Sequence, residues 1–412
     1  MGDFYELFFE DAKVAARALD IALTKRGKHD DEDIPMCGVP HHSAENYIFS
    51  LINQGFRVAI CEQMESPEEA KKRGYKAVVK REVVRLVTPG TLTEDNLLDA
   101  RKNNYLAAFS VVHNEASISW VDISTGSFHI SSIKPDKLSS ELTRLSPSEI
   151  LLSENLVEEH RDLAEEFGIS VTELGNSAFD SSSARERLKK TFKVETVDGL
   201  GTFNRAEISA MGAIIEYLQI TQKGKLPLLS RPQRELNSSF MSIDTATRKN
   251  LELTKGLSSG NKSGSLLSVI DQTLTSGGAR LLEKRVSAPS TNLDEIEKRL
   301  DSLDFIIADV SLSSSLQSEL KKVPDIDRAL SRISLDRAGP RDLVAIRNGL
   351  RQSSIISKVL SNFTLPELLV EKSAVFPEQD QFLELLTDAL VDEPPILARD
   401  GGFIREGFDP KL

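Results

Sequence analysis

The spacing of apolar and polar positions changes several times in the first hundred residues. From Asp11 to Leu23 the apolar residues Val14, Ala18, Leu19 and Ala22 recur at helical spacing, which predicts a helix. Ser43 is placed to cap a second helix running to Gln54, with Gly55 as its left-handed stop. The stretch 56-FRVAI-60 alternates as a strand does, and 82-EVVRLVTPGT-91 is β-branched and ends in a Pro-Gly turn. The acidic run from His29 to Asp33 reads as a surface loop. Residues 1–97 are therefore expected to form a mixed α/β domain.

From 98 to 236 the pattern predicts a different unit. Tyr105–Val112, Ser117–Ile123 and Ser127–Ile133 form a three-stranded meander. Helical and extended pieces then alternate: Lys137–Leu145, 149-EILLS-153, Leu156–Phe167 and 169-ISVTEL-174, closed by a helix over Arg205–Thr221. Three antiparallel strands followed by βα units resemble a ribonuclease-H-like sheet.

Between 237 and 412 β-branched alternation nearly disappears. Helices are predicted over 244–253, 276–286, 292–310, 340–360 and 378–391. In the third, Ile296, Leu300, Leu303 and Ile307 make one apolar face that partner helices should cover, which predicts an incomplete helical bundle. The stretch 394-PPILARDGGFIREGF-408 reads as a hairpin turning at Gly401-Gly402.

Composition narrows the function. A chain of 412 residues, 40% hydrophobic and 28% charged, has the make-up of a folded multidomain protein. Apolar runs long enough for a membrane span or a secretory leader are not found, and two cysteines fit a reducing cytosol. A net charge of −12 argues against indiscriminate polyanion binding. Yet 71-KKRGYKAVVKREVVR-85 sets seven bases against one acid, Glu82. Charge alone does not separate a duplex-holding island from a solvated loop.

Most enzymatic chemistry finds no foothold. In 256-GLSSGNKS-263 Asn261 stands where a phosphate loop needs its second glycine, and the stretch lies between helices rather than after a strand. Cys37, His41, His42 and Cys61 lack a zinc-like C-x-x-C pair, and His41 and His42 follow Pro40 in a turn. The strand 105-YLAAFSVV-112 carries no acid, and Asp122 has no carboxylate partner in sequence, so a two-metal nuclease is not expected.

That leaves the start of the chain, MGDFYELFFEDA. An edge strand would put Phe4 and Glu6 on one face and turn Tyr5 into the core. Phe beside Glu is poor core material and suits a base step. The ring stacks on or between bases while the carboxylate accepts a hydrogen bond from a base edge. Repulsion from phosphates would disfavour ordinary duplex, so such a pair favours DNA that yields easily, as a mispaired step does.

The segments 2-GDFYELFFEDA-12, 20-DIALTKRG-27, 35-PMCGVPHHSAENYIFSLINQGFRVAICEQME-65 and 84-VRLVTPGT-91 resemble the mismatch-recognition domain of the MutS family of DNA mismatch repair proteins. The likeness continues through 244-DTATRKNLEL-253, 325-DIDRALSRISLDRAGPRDL-343 and 400-DGGFIREGF-408. It implies a recognition domain over 1–97, a connector over 98–236 and the first part of a lever domain over 237–412. It further implies that Phe4 stacks on the mispaired base from the minor groove, that Glu6 hydrogen-bonds the displaced base and that Tyr5 packs behind. Met36 would lie near the kinked step, and Lys25 and Arg26 would approach the backbone. The family continues on both sides of this stretch, so the chain looks like a fragment. ATP and Mg2+ would bind in an ATPase domain beyond Leu412, leaving no cofactor and no enzyme activity here. Mismatched or looped duplex DNA is the expected partner, with a MutL-type factor on the connector, a homodimeric parent and a bacterial cytoplasmic setting near the nucleoid. The rival reading is a fragment without a competent DNA site that acts through protein contacts of its connector and levers.

Overall fold

The computed structural model describes residues 4–74, 77–374 and 380–409. Gly2 and Asp3 of the opening motif, Tyr75 and Lys76 of the basic stretch, and residues 378 and 379 of the last predicted helix lie outside the described residues.

The first unit runs β1 (Phe4–Phe8), α1 (Phe9–Leu19), β2 (Thr24–His29), β3 (Glu32–Pro40), α2 (Ala44–Asn53), β4 (Val58–Gln63), α3 (Pro67–Lys72) and β5 (Arg81–Val87). Its sheet has the order β1-β3-β2, and β4 pairs separately with β5. Helix α1 starts and stops earlier than its periodicity predicts, because Asp20 takes a left-handed conformation (φ 52°) and closes it. Ala12, Ala15 and Ala16 pack on Cys37 beneath the sheet. The acidic run is no irregular loop: Asp30 and Asp31, with φ of 51° and 64°, form the turn of a β2–β3 hairpin. Strand β2, TKRGKH, is exposed throughout and so leaves no apolar alternation to read. Gly55 is left-handed as expected (φ 83°). Ser43, however, does not cap α2; its hydroxyl donates instead to the Pro40 carbonyl.

The second unit contains β6 (Tyr105–Val112), β7 (Glu115–Asp122), β8 (Ser127–Ile133), α4 (Leu138–Leu145), β9 (Glu149–Ser153), α5 (Glu154–Glu166), β10 (Ser170–Leu174), α6 (Ser181–Phe192), α7 (Arg205–Thr221) and β11 (Gln233–Arg234). The strand order is β10-β9-β6-β7-β8-β11, with β6, β7 and β8 antiparallel and β9 and β10 parallel to β6. Helix α7 is buried along nearly its whole length, as expected of a helix apolar all round. It packs with α6 on one face of the sheet, while Trp120, Phe109 and Ile150 meet α4 and α5 on the other.

The third unit is helical: α8 (Thr245–Asn250), α9 (Leu266–Ile270), α10 (Ser276–Ser287), α11 (Leu293–Ala308), α12 (Val310–Leu320), α13 (Ile326–Ser334), α14 (Pro340–Leu360), α15 (Glu367–Ser373) and α16 (Asp380–Ala389). Asp309 breaks the long helix predicted from 292 and caps α12. The expected cover on α11 is not found among the described residues, where Leu300, Leu303 and Ile307 stay exposed. The apolar contacts form instead between α12 and α14 and among α13, α14 and α16. Nor does 394–408 fold on itself: Phe403 and Arg405 bond back to Val391 and Ala389, so the returning strand pairs with the end of α16. Among the described residues no helix is long and apolar enough to cross a membrane.

Candidate nucleic-acid interface

Strand register decides which side chains of the opening motif act together. In the β1–β3 ladder Phe4 faces Pro40, Glu6 faces Gly38 and Phe8 faces Met36. Since alternate residues share a face, Phe4, Glu6, Met36 and Gly38 lie on one side of the sheet and Tyr5, Leu7, Cys37 and Val39 on the other. From the second set Leu7 and Cys37 pack on α1, and Val39 is buried. Phe4 is left 60% exposed, a large cost for a phenyl ring that only served the fold.

Gly38 is a residue that motif reading passed over. A Cβ there would sit 3.3 Å from the Tyr5 carbonyl oxygen, with the Phe4 ring at 3.6 Å and Glu6 Cγ at 3.9 Å, so the backbones of β1 and β3 approach closely at this point. A glycine inside a strand often marks such a close approach, and that signal was legible in 38-GVPHH-42.

The neighbouring strand divides the remaining predicted residues. Thr24 faces Met36, which brings Thr24 and Arg26 to the outer side, and Arg26 reaches across β3 to the Glu6 carboxylate. Lys25 points the other way and bonds Asp33 at 2.6 Å. Phe4, Glu6, Met36 and Arg26 thus stand together; Lys25 does not join them.

Tyr5, behind this face, stacks on His41 with ring centroids 5.3 Å apart and donates its hydroxyl to Glu62 of β4. Burial first, then the hydrogen bond and charge of Glu62, push its phenol well above the ordinary tyrosine range, so it remains a donor at physiological pH. A cavity of 760 Å3 lies beside β1 and β4, lined by Phe4, Glu6 and Arg26 together with Tyr5, Tyr47 and Arg81. Phe9, the next residue along, is held at φ 55° and meets the His29 ring edge-on. This conformation is rare for an aromatic residue.

The basic stretch does not act as one patch. Lys71 and Lys72 are exposed on α3, but Arg73 pairs with Glu65 and Lys80 with Glu82. Arg85 is buried against Glu94 and the Thr91 carbonyl. The Arg85 charge and hydrogen bond outweigh burial and hold Glu94 below the usual carboxylate range.

The other sequence candidates have structural surroundings. Cys37 lies in the α1 interface and Cys61 on the exposed side of β4. No three His, Cys, Asp or Glu among the described residues converge to hold a metal. Asp122 is fully buried, and burial raises its pKa despite bonds from the Asn104 amide (3.0 Å) and from the Ser124 amide and hydroxyl (2.9 and 2.6 Å). The 256–263 stretch folds on itself: Gly256 N–H donates to Asn261, and Lys262 pairs with Asp271.

Two junctions connect this face to the rest of the chain. Glu149, fully buried at the start of β9, accepts from Thr88 and Gly90 at the end of the first unit and from Thr172 and Tyr217 of the second. Arg57 of the first unit adds bonds to Val171 and Thr172, each 2.8 Å. Helix α13 grips the connecting segment 93–104: Arg328 donates to the Asp99 and Lys102 carbonyls at 3.0 and 2.8 Å, and Arg332 pairs with Asp95.

Fold and site together define a multidomain chain, mixed α/β followed by helical, that presents an exposed aromatic–carboxylate face at one edge. Profiles of MutS domain I, domain II and domain III match residues 1–96, 104–230 and 246–406 in that order. The chain is 58% identical over 412 residues to the DNA mismatch repair protein MutS of Roseobacter denitrificans, covering 100% of this chain and 47% of that protein. Identity is 58% over 413 residues to the protein of the same name from Ruegeria pomeroyi, and 55% over 414 to that of Paracoccus denitrificans. The chain belongs to the MutS family and spans about half the length of the relatives it matches.

Proposed function

We propose that this chain recognises mismatched or looped duplex DNA in mismatch repair, with Phe4 as the wedge and Glu6 as the acceptor for a displaced base. The observation that carries this reading is the shared outer face of β1 and β3, where Phe4 stands 60% exposed beside Glu6. A stacked ring contributes about 1–3 kcal/mol per base. Unstacking a step costs a few kcal/mol, and less where pairing is already faulty. The difference favours mismatches by a modest margin. Met36 and Arg26 share the face and complete it. Lys25, on the opposite side, is left to backbone contacts at a distance from the wedge.

The remaining roles follow the same reading. Residues 98–236 act as a ribonuclease-H-like connector, supported by the order β8-β7-β6-β9-β10, and offer a surface to a MutL-type factor. Residues 237–412 act as part of the levers. ATP and Mg2+ binding and the homodimer contacts are assigned to sequence outside these 412 residues, and the setting is the bacterial cytoplasm at the nucleoid.

The test is a competition assay with matched and mismatched duplexes. Phe4→Ala should abolish mismatch preference and leave weak, salt-sensitive binding. Retained preference in that variant would refute the wedge. Absence of any mismatch-dependent binding by the unaltered chain at low salt would favour a fragment that acts only through protein contacts.

A further inference from the structure

Glu6 and Arg26, which the proposed reading directs toward DNA, are bonded to each other. Nη1 of Arg26 donates to both oxygens of the Glu6 carboxylate, at 2.5 and 2.7 Å. The contact engages one guanidinium nitrogen only; among the described residues Nη2 and Nε of Arg26 have no acceptor. The Arg26 and Glu6 side chains are 45% and 35% exposed, and an ion pair so wetted is weak enough to be exchanged.

We propose that Arg26 is the specificity switch of the recognition face: it leaves Glu6 for a DNA phosphate only when a displaced base donates to Glu6 in its place. The inference rests on the reading of Phe4 and Glu6 given above. Closed, the pair carries no net charge, so a passing duplex meets no bare carboxylate. Opening it against a fully paired duplex would leave Glu6 facing phosphates with no donor, an unpaired and partly desolvated charge. A base pushed out of its stack supplies the missing N–H, and both charges end the exchange paired. The free Nη2 and Nε let the guanidinium engage a phosphate before Nη1 releases Glu6, so neither charge stands alone on the way. Lys25 cannot substitute, because it lies on the opposite side of the sheet and is bonded to Asp33.

Salt dependence reads the exchange directly, since each Lys or Arg contact with a phosphate adds about 0.9 to the slope of log K against log[salt]. Binding by the whole chain is measured on matched and single-mismatch duplexes of the same length over a salt series. The mismatch slope should exceed the matched slope by about 0.9. Arg26→Gln should remove that excess by lowering the mismatch slope alone. Glu6→Gln should free Arg26 on every duplex and raise the matched slope by about 0.9, and Glu6→Gln with Arg26→Gln should abolish that rise. Equal lowering of both slopes by Arg26→Gln would show an ordinary phosphate contact, and no change in either would show a bystander ion pair; each overturns the switch while leaving the wedge intact. An unaltered chain without mismatch preference would overturn the wedge reading and the switch with it.

Discussion

Replacing Glu149 tests whether the first unit is fastened to the rest of the chain as the structure indicates. The carboxylate is fully buried and takes four hydrogen bonds. Oε2 accepts from the Thr88 hydroxyl (2.6 Å) and the Gly90 amide (2.9 Å), while Oε1 accepts from the Tyr217 hydroxyl (2.7 Å) and from Thr172. In Glu149→Ala, Thr88 can turn to Thr91, 2.9 Å away, but the Gly90 amide and the Thr172 and Tyr217 hydroxyls lose their acceptor. Three orphaned buried donors at about 1–3 kcal/mol each, less the relief of no longer burying a charge, give a net loss of about 3 kcal/mol. Glu149→Gln keeps the shape and one oxygen, which can stay on Gly90 while the hydroxyls rotate to accept from the new amide. It forfeits mainly the charge assistance, about 1 kcal/mol. Trp120, the only tryptophan, lies buried in the same unit, so its fluorescence during urea unfolding reports the effect where it arises. Proteolysis between Thr88 and Asn104 should also quicken in the alanine variant. The reasoning fails if alanine costs under about 0.5 kcal/mol, a surface-like value, or if the two variants are indistinguishable.

Two other perturbations follow from buried groups. His129 stacks on Trp120 (5.4 Å), and burial, followed by the nearby Lys284 charge, lowers its pKa to about 4, with Glu235 opposing and Arg144 adding to the effect. Its neutral form belongs to the fold. Stability is therefore complete above the unfolded value near 6.5, and up to about 3 kcal/mol is lost as the pH falls toward 4 and only the unfolded chain takes up the proton. His129→Phe should flatten that acid limb in urea titrations at pH 7 and pH 5; an unchanged limb would remove His129 as its source. Gly212 of α7 lies against α6 so closely that an added Cβ would come within 2.2 Å of Ala184 Cβ and 2.8 Å of its Cα. Gly212→Ala should cost about 2 kcal/mol by overpacking despite alanine's better helix propensity, and a stabilised variant in thermal unfolding would contradict the packing.

Elements with strong periodicity were legible in the sequence. The β6–β8 meander, β9, and α14 over Pro340–Leu360 lie where the pattern puts them, because the strands are short runs buried on both faces between turns and α14 repeats its buried positions at helical spacing. Elements without such a signature were not. Strand β2 is exposed on both sides, and α13 carries its apolar positions among arginines, of which Arg328 bonds carbonyls more than 200 residues earlier. The missed break at Asp309 is local, its carboxylate accepting from the Leu312 amide to start α12, whereas the partner of 394–408 lies outside that segment, at Ala389 and Val391, where its own pattern cannot show it.

The chemistry of the outer face of β1, an aromatic ring two residues from a carboxylate on a strand, was determined by the sequence alone, because alternation along a strand depends only on neighbouring residues. What those side chains meet was decided by tertiary structure. Pairing of β1 with β3 set Gly38 beneath Phe4 and Glu6, and the β2–β3 hairpin turned Arg26 toward Glu6 and Lys25 away from it. Register between strands is fixed by turn geometry and core packing summed over the whole unit, and a change of one residue would have exchanged the roles of Arg26 and Lys25.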